Sequence, residues 1–257
     1  MVSNTAIAEH LQQISFLFLK AKEPWKSKAF SKVAGELYTR ADPLEIVQGN
    51  LLEKIPGVGK AIKAVIEQFV SMGSSEKMDK LLAMLPEEDI NRFDASLCKR
   101  KVTSLLKPLT EAGVDWGYAG SMRRGIQTVK DVDVIVCLHD EENDRALVQK
   151  VIDDAMLSAD VRNGQEKIGV SIPIHSQCRS FVLDLNFVTP ESRGAMYLYF
   201  TGPKSFNIAQ RGKAKAKGWR LNQKGLFDAD GNNIASKTEE EIFEALNWKY
   251  ATPAERK

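Results

Sequence analysis

Through the first 90 or so residues, apolar positions recur every three to four residues, the spacing of one buried helix face. Ile7, Leu11, Ile14 and Phe18 make one such stripe, with Asn4 placed to cap it. Pro24 breaks that helix, and Phe30, Val33 and Leu37 mark a second. The stretch from Asn50 to Ile55 leads into Pro56-Gly57-Val58-Gly59, and the spacing predicts a helix over 60–70 ending near Gly73. One more helix is expected from Ala95 to Ala112. The period then falls to two. Lys130 to Val136 reads as a strand with Val132, Val134 and Val136 on one face and Asp131 and Asp133 on the other. A helix over 141–156 and strands over 168–174 and 180–188 follow. In the last strand Phe181, Leu183, Leu185 and Phe187 oppose Val182, Asp184, Asn186 and Val188. Leu221 to Phe227 reads as a strand with a turn, and Thr238 with Glu241 is a capping box opening the final helix. Helices first, then strands with helices between them, define an α+β chain.

Three places along this pattern carry chemistry. Asp131 and Asp133 lie one pleat repeat apart, and two carboxylates on one face cannot both be buried without a compensating charge. A divalent cation is the natural partner, and Mg²⁺ commonly combines one or two carboxylates with substrate phosphates. An edge strand with two solvated Asp is the alternative for the pair taken alone. Asp184 is the one carboxylate in an otherwise apolar strand, a position disfavoured by propensity and explained by a ligand role. Upstream, Gly120 ends a strand and opens the backbone to an anion, Ser121 adds a hydroxyl, and Arg123 and Arg124 offer guanidinium forks for phosphate. Finally, Gly57-Val58-Gly59 between two helices suggests a hairpin whose amides, at a helix N-terminus, bind one phosphate together with Na⁺ or K⁺. An ordinary helical turn is the alternative there.

Composition adds limits rather than direction. The 257 residues suffice for one large domain or two to three small ones, and 43% hydrophobic with 27% charged residues is ordinary for a globular protein. Net charge is only +2, yet eight acids against three bases fall between Asp140 and Glu166, and seven bases with no acid between Pro203 and Lys224. The basic run points to a polyanion or to a solvated helix face. Cys98, Cys137 and Cys178 are odd in number and far apart, which argues against disulfides or a zinc site, and His10, His139 and His175 show no metal-ligand spacing. No apolar run approaches ~18 residues and no signal pattern opens the chain. A location inside the cell, cytoplasmic or nucleoid-associated, is expected.

The block Gly-Ser-Met-Arg-Arg-Gly at 120–125, followed by Asp-Val-Asp inside an apolar strand, resembles the nucleotidyltransferase signature of the family X, polymerase beta-like DNA polymerases. The resemblance extends to the Gly57/Gly59 hairpin, to Tyr199-Phe200-Thr201-Gly202 with Asn207 and Arg211, to 221–227 and to the closing Trp-Lys-Tyr-Ala-Thr-Pro-Ala-Glu-Arg. It implies a helical helix-hairpin-helix domain over 1–90, a palm with a mixed or antiparallel sheet over 91–189, and a C-terminal nucleotide-selection subdomain over 190–257. By the same resemblance Asp131, Asp133 and Asp184 are the catalytic, metal-binding carboxylates for two Mg²⁺, with Mn²⁺ as a substitute. Gly120, Ser121, Arg124, Gly125, Tyr199, Phe200, Gly202, Lys204 and Asn207 are implied nucleotide contacts. Gly57, Val58, Gly59, Lys60, Lys63 and Arg211 are implied DNA contacts. The partners are gapped or primed DNA and dNTPs, bound by a monomer with no membrane association. A template-independent nucleotidyltransferase and a non-catalytic gap-binding protein are the rival readings.

The chain departs from the family pattern in four places. Six residues past Gly59, where lyase-active members carry a Schiff-base lysine, stands Val65, so no lyase is expected. The passage from Pro86 to Asp94 leaves no room for the second hairpin-containing helical subdomain. Pro203 replaces a serine, so a cis Gly202–Pro203 bond is expected, since proline lowers the cis cost. Lys204 stands where many relatives have an acid over the base.

Overall fold

The computed structural model describes residues 2–40, 51–162, 166–174 and 179–256. These form two compact units, Met1–Leu97 with Pro173–Phe181, and Cys98–Ile172 with Val182–Lys257. His175 and Cys178 lie outside the described residues.

The first unit is helical. α1 (Asn4–Lys20) is capped by Ser3, whose side chain accepts the Ala6 amide at 3.1 Å, so Asn4 is a buried first-turn residue and not the cap. α2 (Pro24–Tyr38) starts on Pro24, where the missing amide costs no helical bond. α3 (Lys60–Met72) stops at Gly73, whose φ of +75° lets its amide close on the Phe69 carbonyl at 2.8 Å. α4 (Glu76–Met84) is capped by Ser75. The apolar stripe foreseen on α1 packs with Val33, Leu37, Ile66 and Met78, all essentially inaccessible to water. Each such side chain contributes roughly 1.5–3 kcal/mol of burial.

His10 belongs to this core. It is fully buried, stacks on Phe69 at 4.2 Å between ring centroids, and shares a hydrogen bond with Ser75 Oγ at 2.8 Å through Nε2, while Nδ1 has no partner. Burial lowers its pKa from 6.5 to about 4. The unfolded chain takes up the proton below 6.5 and the fold resists it until about 4, so stability falls as pH drops through that window. The expected loss is roughly 3 kcal/mol. A His10 imidazole resonance titrating near 6.5, or acid unfolding unchanged in His10→Gln, would contradict this.

A short helix α5 (Glu87–Ile90) comes next. The single helix expected from 95 to 112 is two, α6 (Ala95–Leu105) and α7 (Lys107–Glu111). Pro108 explains the break: it has no amide to donate, and its ring collides with the carbonyl four residues back.

The second unit holds a five-stranded mixed sheet. Its strands are β1 (Asp115–Tyr118), β2 (Asp131–Cys137), β3 (Ala159–Arg162), β4 (Lys167–Ile174) and β5 (Arg179–Val188), in the order β1-β2-β5-β4-β3. β1 runs antiparallel to β2, β2 parallel to β5, and β3 antiparallel to β4. Between β1 and β2 lies one helical turn, α8 (Gly120–Arg123). After β2, α9 (Glu141–Asp154) is capped by Asp140, which accepts the Asn143 amide at 3.2 Å. Glu141, Glu142 and Asp144 face the positive end of that helix, and with Asp140 they account for half of the acidic run.

The C-terminal part of the unit contains α10 (Arg193–Thr201), α11 (Lys204–Ala216), the small sheet of β6 (Arg220–Asn222), β7 (Gly225–Phe227) and β8 (Asn233–Ala235), and α12 (Glu239–Ala245). Thr238 and Glu241 form the foreseen capping box. Phe206, Phe243, Trp248 and Tyr250 interlock, with Phe243 5.1 Å from Tyr250 and Phe206 5.4 Å from Trp248, so the terminal Trp-Lys-Tyr segment closes this core.

Candidate active site

β2 and β5 lie side by side in parallel, which sets Asp133 directly opposite Asp184 and Asp131 opposite Val182. β2 is flanked by β1 and β5, so the carboxylates of β2 do not sit on an edge strand. Asp131 is exposed, Asp133 half-buried, and Asp184 only 8% exposed. Burial, followed by the charges of Asp131 and Asp184, pushes the Asp133 carboxyl up to about 6. Asp184 Oδ2 accepts a hydrogen bond from Lys167 Nζ at 2.6 Å, and its Oδ1 is buried with no hydrogen-bond partner. An orphaned buried carboxylate oxygen beside two further carboxylates fits a hard divalent cation, which these three residues would hold.

Gly120 brings the phosphate-binding block to this cluster. At its φ of +54° a Cβ would sit 2.2 Å from Asp133 Oδ2, so only glycine leaves room for the carboxylate. Ser121 is half-buried on the same turn. Arg124 donates from Nη1 to the Thr201 carbonyl and acts electrostatically on Asp133, which puts it between the carboxylates and the end of α10. Gly125, with φ +75°, is exposed and returns its amide to the Met122 carbonyl at 3.1 Å, ending α8.

Arg123 does something other than offer a fork to phosphate. It donates to Thr201 Oγ1 at 2.8 Å and to Glu239 Oε2 at 2.6 Å, and lies 4.8 Å over the Tyr197 ring. Glu239 is buried and is held on its other oxygen by Arg256 Nη1 at 2.6 Å. Burial alone raises a carboxyl, but the two arginines outweigh it and hold Glu239 below its ordinary pKa.

Beyond α10, Tyr199 is 39% exposed and meets Phe200 edge to face at 5.2 Å. The Gly202–Pro203 bond is cis. Lys204 stands exposed at the first position of α11. One turn on, Asn207 Nδ2 donates to the Tyr199 carbonyl at 2.6 Å, and Arg211 Nε donates to the Asn207 carbonyl at 3.3 Å. Much of the basic run serves this unit itself: Lys213 lies 4.6 Å over Trp248, Lys217 4.7 Å over Trp219, and Arg220 5.5 Å over Phe227.

In the helical unit, Gly57 needs its φ of +94° to make the hairpin. Val58 and Gly59 turn their amides inward, onto Ile55 and Gly57 carbonyls at 3.1 Å each, and not outward as the spacing suggested. The outward donors belong to the first turn of α3, which starts at Lys60 without a side-chain cap. Lys60 is exposed, whereas Lys63 is paired with Glu53 at 2.8 Å. Val65 is buried in the core.

Two contacts have no signature in the sequence. Lys167 reaches Asp184 only because β4 and β5 are neighbours. Asp115, Cys137 and His139 bring potential metal donors within 4.8 Å of one another, although linear spacing gave no ligand set. Asp115 is already occupied there, since Arg193 donates to both of its oxygens at 2.7 and 3.2 Å.

The fold and site together are those of a carboxylate-bearing sheet followed by a small C-terminal helical subdomain, with a hairpin domain elsewhere in the chain. The model named DNA polymerase beta thumb matches residues 196–257, and the helix-hairpin-helix domain model matches residues 2–75. The DNA polymerase/3′-5′ exonuclease PolX of Bacillus subtilis is 22% identical over 294 aligned residues, covering 90% of this chain and 50% of the relative. DNA polymerase lambda of Rattus norvegicus is 24% identical over 324, covering 98% and 56%. Repair DNA polymerase X of African swine fever virus (strain Badajoz) is 29% identical over 141, covering 53% and 78%. Both domain models and these relatives point to the family X DNA polymerases, the polymerase beta-like group, as the proteins this chain is similar to. It spans about half the length of the first two relatives, and both alignments are longer than its 257 residues, so those relatives carry positions with no counterpart here.

Proposed function

We propose that this chain is a template-directed DNA polymerase that adds dNTPs to a primer 3′-hydroxyl at short gaps or primer-templates, in DNA repair. The observation that carries the reading is the in-register pair Asp133 and Asp184 on parallel strands, with Asp131 one pleat repeat away and Asp184 Oδ1 buried without a partner. Two Mg²⁺, with Mn²⁺ as a substitute, would lower the pKa of the 3′-hydroxyl and neutralise charge on the leaving pyrophosphate. Asp131, Asp133 and Asp184 would hold the ions. Asp184 would accept the 3′-hydroxyl proton as general base. Ser121 and Arg124 bind the triphosphate, while Gly120 and Gly125 shape the turn that presents them. The Tyr199 and Phe200 backbone, with Gly202, crowds a 2′-hydroxyl and favours dNTPs. Asn207 and Arg211 reach minor-groove acceptors common to all correct pairs, which checks shape and not sequence. Lys204 contacts the incoming nucleotide.

In this reading residues 1–90 grip DNA, 91–189 catalyse and 190–257 select the nucleotide. The N-terminal turn of α3 and Lys60 bind a DNA phosphate with a monovalent cation. Lyase chemistry is not part of the proposal, because the family's lysine position holds Val65 in a core and Lys63 is paired with Glu53. The protein acts as a monomer.

Primer extension on gapped and open primer-templates, with and without a 5′-phosphate and with Mg²⁺, tests the proposal. Template-dictated insertion is expected, and tailing of a single strand without regard to template would refute it. Gly120→Ala, which puts a methyl where the Asp133 carboxylate lies, should cost on the order of 100-fold in kcat/KM for insertion. Insertion within a few-fold of the unsubstituted protein would mean that the close approach of Gly120 to Asp133 is unimportant.

A further inference from the structure

We propose that Lys167 is the internal counter-ion of the carboxylate cluster, a positioning residue that clamps Asp184 through Oδ2 and competes with a divalent cation for that carboxylate. The inference rests on the metal-binding reading of Asp131, Asp133 and Asp184. Its starting point is the sheet order: β5 lies between β2 and β4, so Asp184 has a carboxylate opposite it on one neighbouring strand and an ammonium from the other. Among the described residues, Arg124 and Lys167 act electrostatically on Asp133. Arg124 is bonded to the Thr201 carbonyl, and Lys167 is the one bonded directly to a carboxylate of the three among the described residues.

The pair is sheltered, with the Lys167 and Asp184 side chains 21% and 12% exposed, so salt screens it poorly. Lys167 takes one oxygen of Asp184 and leaves the other buried and unpartnered. That asymmetry has two consequences. The carboxylate is held in one orientation before any ion or substrate arrives. A fixed positive charge also stands at 2.6 Å from a ligand oxygen, where it offsets the negative cluster and repels an incoming dication. β5 itself supplies no such charge: its described neighbours of Asp184 on the same face, Val182 and Asn186, are neutral.

The test uses the full chain without DNA or nucleotide, titrated with Mn²⁺ and followed by the electron paramagnetic resonance of free Mn²⁺. Lys167→Gln, which keeps a donor but removes the charge, should bind Mn²⁺ about tenfold more tightly, and Lys167→Arg should stay within about twofold of the unsubstituted protein. Lys167→Met removes both charge and donor; it should share the tighter Mn²⁺ binding and, with Asp184 unclamped, extend primers at least about tenfold more slowly at saturating Mn²⁺. Lys167→Arg should restore that rate. In an Asp184→Asn background, Lys167→Gln should leave Mn²⁺ affinity unchanged, because the shared carboxylate is gone. Unchanged or weaker Mn²⁺ binding in both Lys167→Gln and Lys167→Met overturns the proposal, and a melting curve in EDTA identifies a variant that fails to fold. If Asp184→Asn alone leaves Mn²⁺ binding intact, the carboxylate site itself is wrong, a different failure from an inert Lys167.

Discussion

Asp184→Asn is expected to reduce nucleotide addition by on the order of 10³-fold or more while the chain still folds. The substitution keeps the shape of the side chain and removes the charge at the one oxygen of the cluster that is buried without a partner. Its neighbours on the strand keep contacts of their own: Leu183 and Leu185 are fully buried, and Asn186 donates to the Val134 carbonyl at 3.3 Å. The strand pairing with β2 is therefore left in place. The measurement is single-nucleotide insertion under single-turnover conditions, with the melting temperature recorded alongside. Activity within tenfold of the unsubstituted protein would remove Asp184 from the chemistry.

Glu239→Ala is the second large effect and concerns stability. The carboxylate is 5% exposed and takes one guanidinium on each oxygen, Arg123 and Arg256 at 2.6 Å each. Removing it leaves two buried or half-buried arginines facing one another, and breaking a buried pair of this kind costs about 3–5 kcal/mol. Arg256 is also bonded to the Ala251 carbonyl at 3.1 and 3.0 Å and lies over the Phe206, Phe243 and Tyr250 rings, so the loss of its carboxylate partner reaches the aromatic core. Arg123 links the same network to the turn that carries Gly120, so nucleotide addition should fall along with stability. Urea denaturation measures the loss, and a value below about 1 kcal/mol would show the network to be solvated.

The contrast between these two sites marks how much could be read from residues in order. The strand faces of Asp131, Asp133 and Asp184 were legible because strand period two places each on a definite face and because a charge in an apolar strand demands a partner. The α1 stripe, the Gly73 stop and the Thr238 cap were legible for a similar reason: helical spacing, left-handed glycine and side-chain capping are settled within a few residues. The split at Pro108 was open to the same local reasoning, as was the cap at Ser3. The inward Val58 and Gly59 amides were less so, because the hairpin's hydrogen bonds depend on how the two helices close around it.

What the chain's sequence determined by itself is most of the longer elements and the strand faces on which the carboxylates lie, since these follow from short-range periodicity and the cost of burying charge. The tertiary structure alone decided which strands are neighbours, and with that the meeting of Asp133 with Asp184, of Lys167 with Asp184 across 17 residues, and of Arg123 with Glu239 across 116. The physical reason is that strand order and the pairing of distant charges depend on how whole faces bury one another, a sum over the core that no local pattern contains.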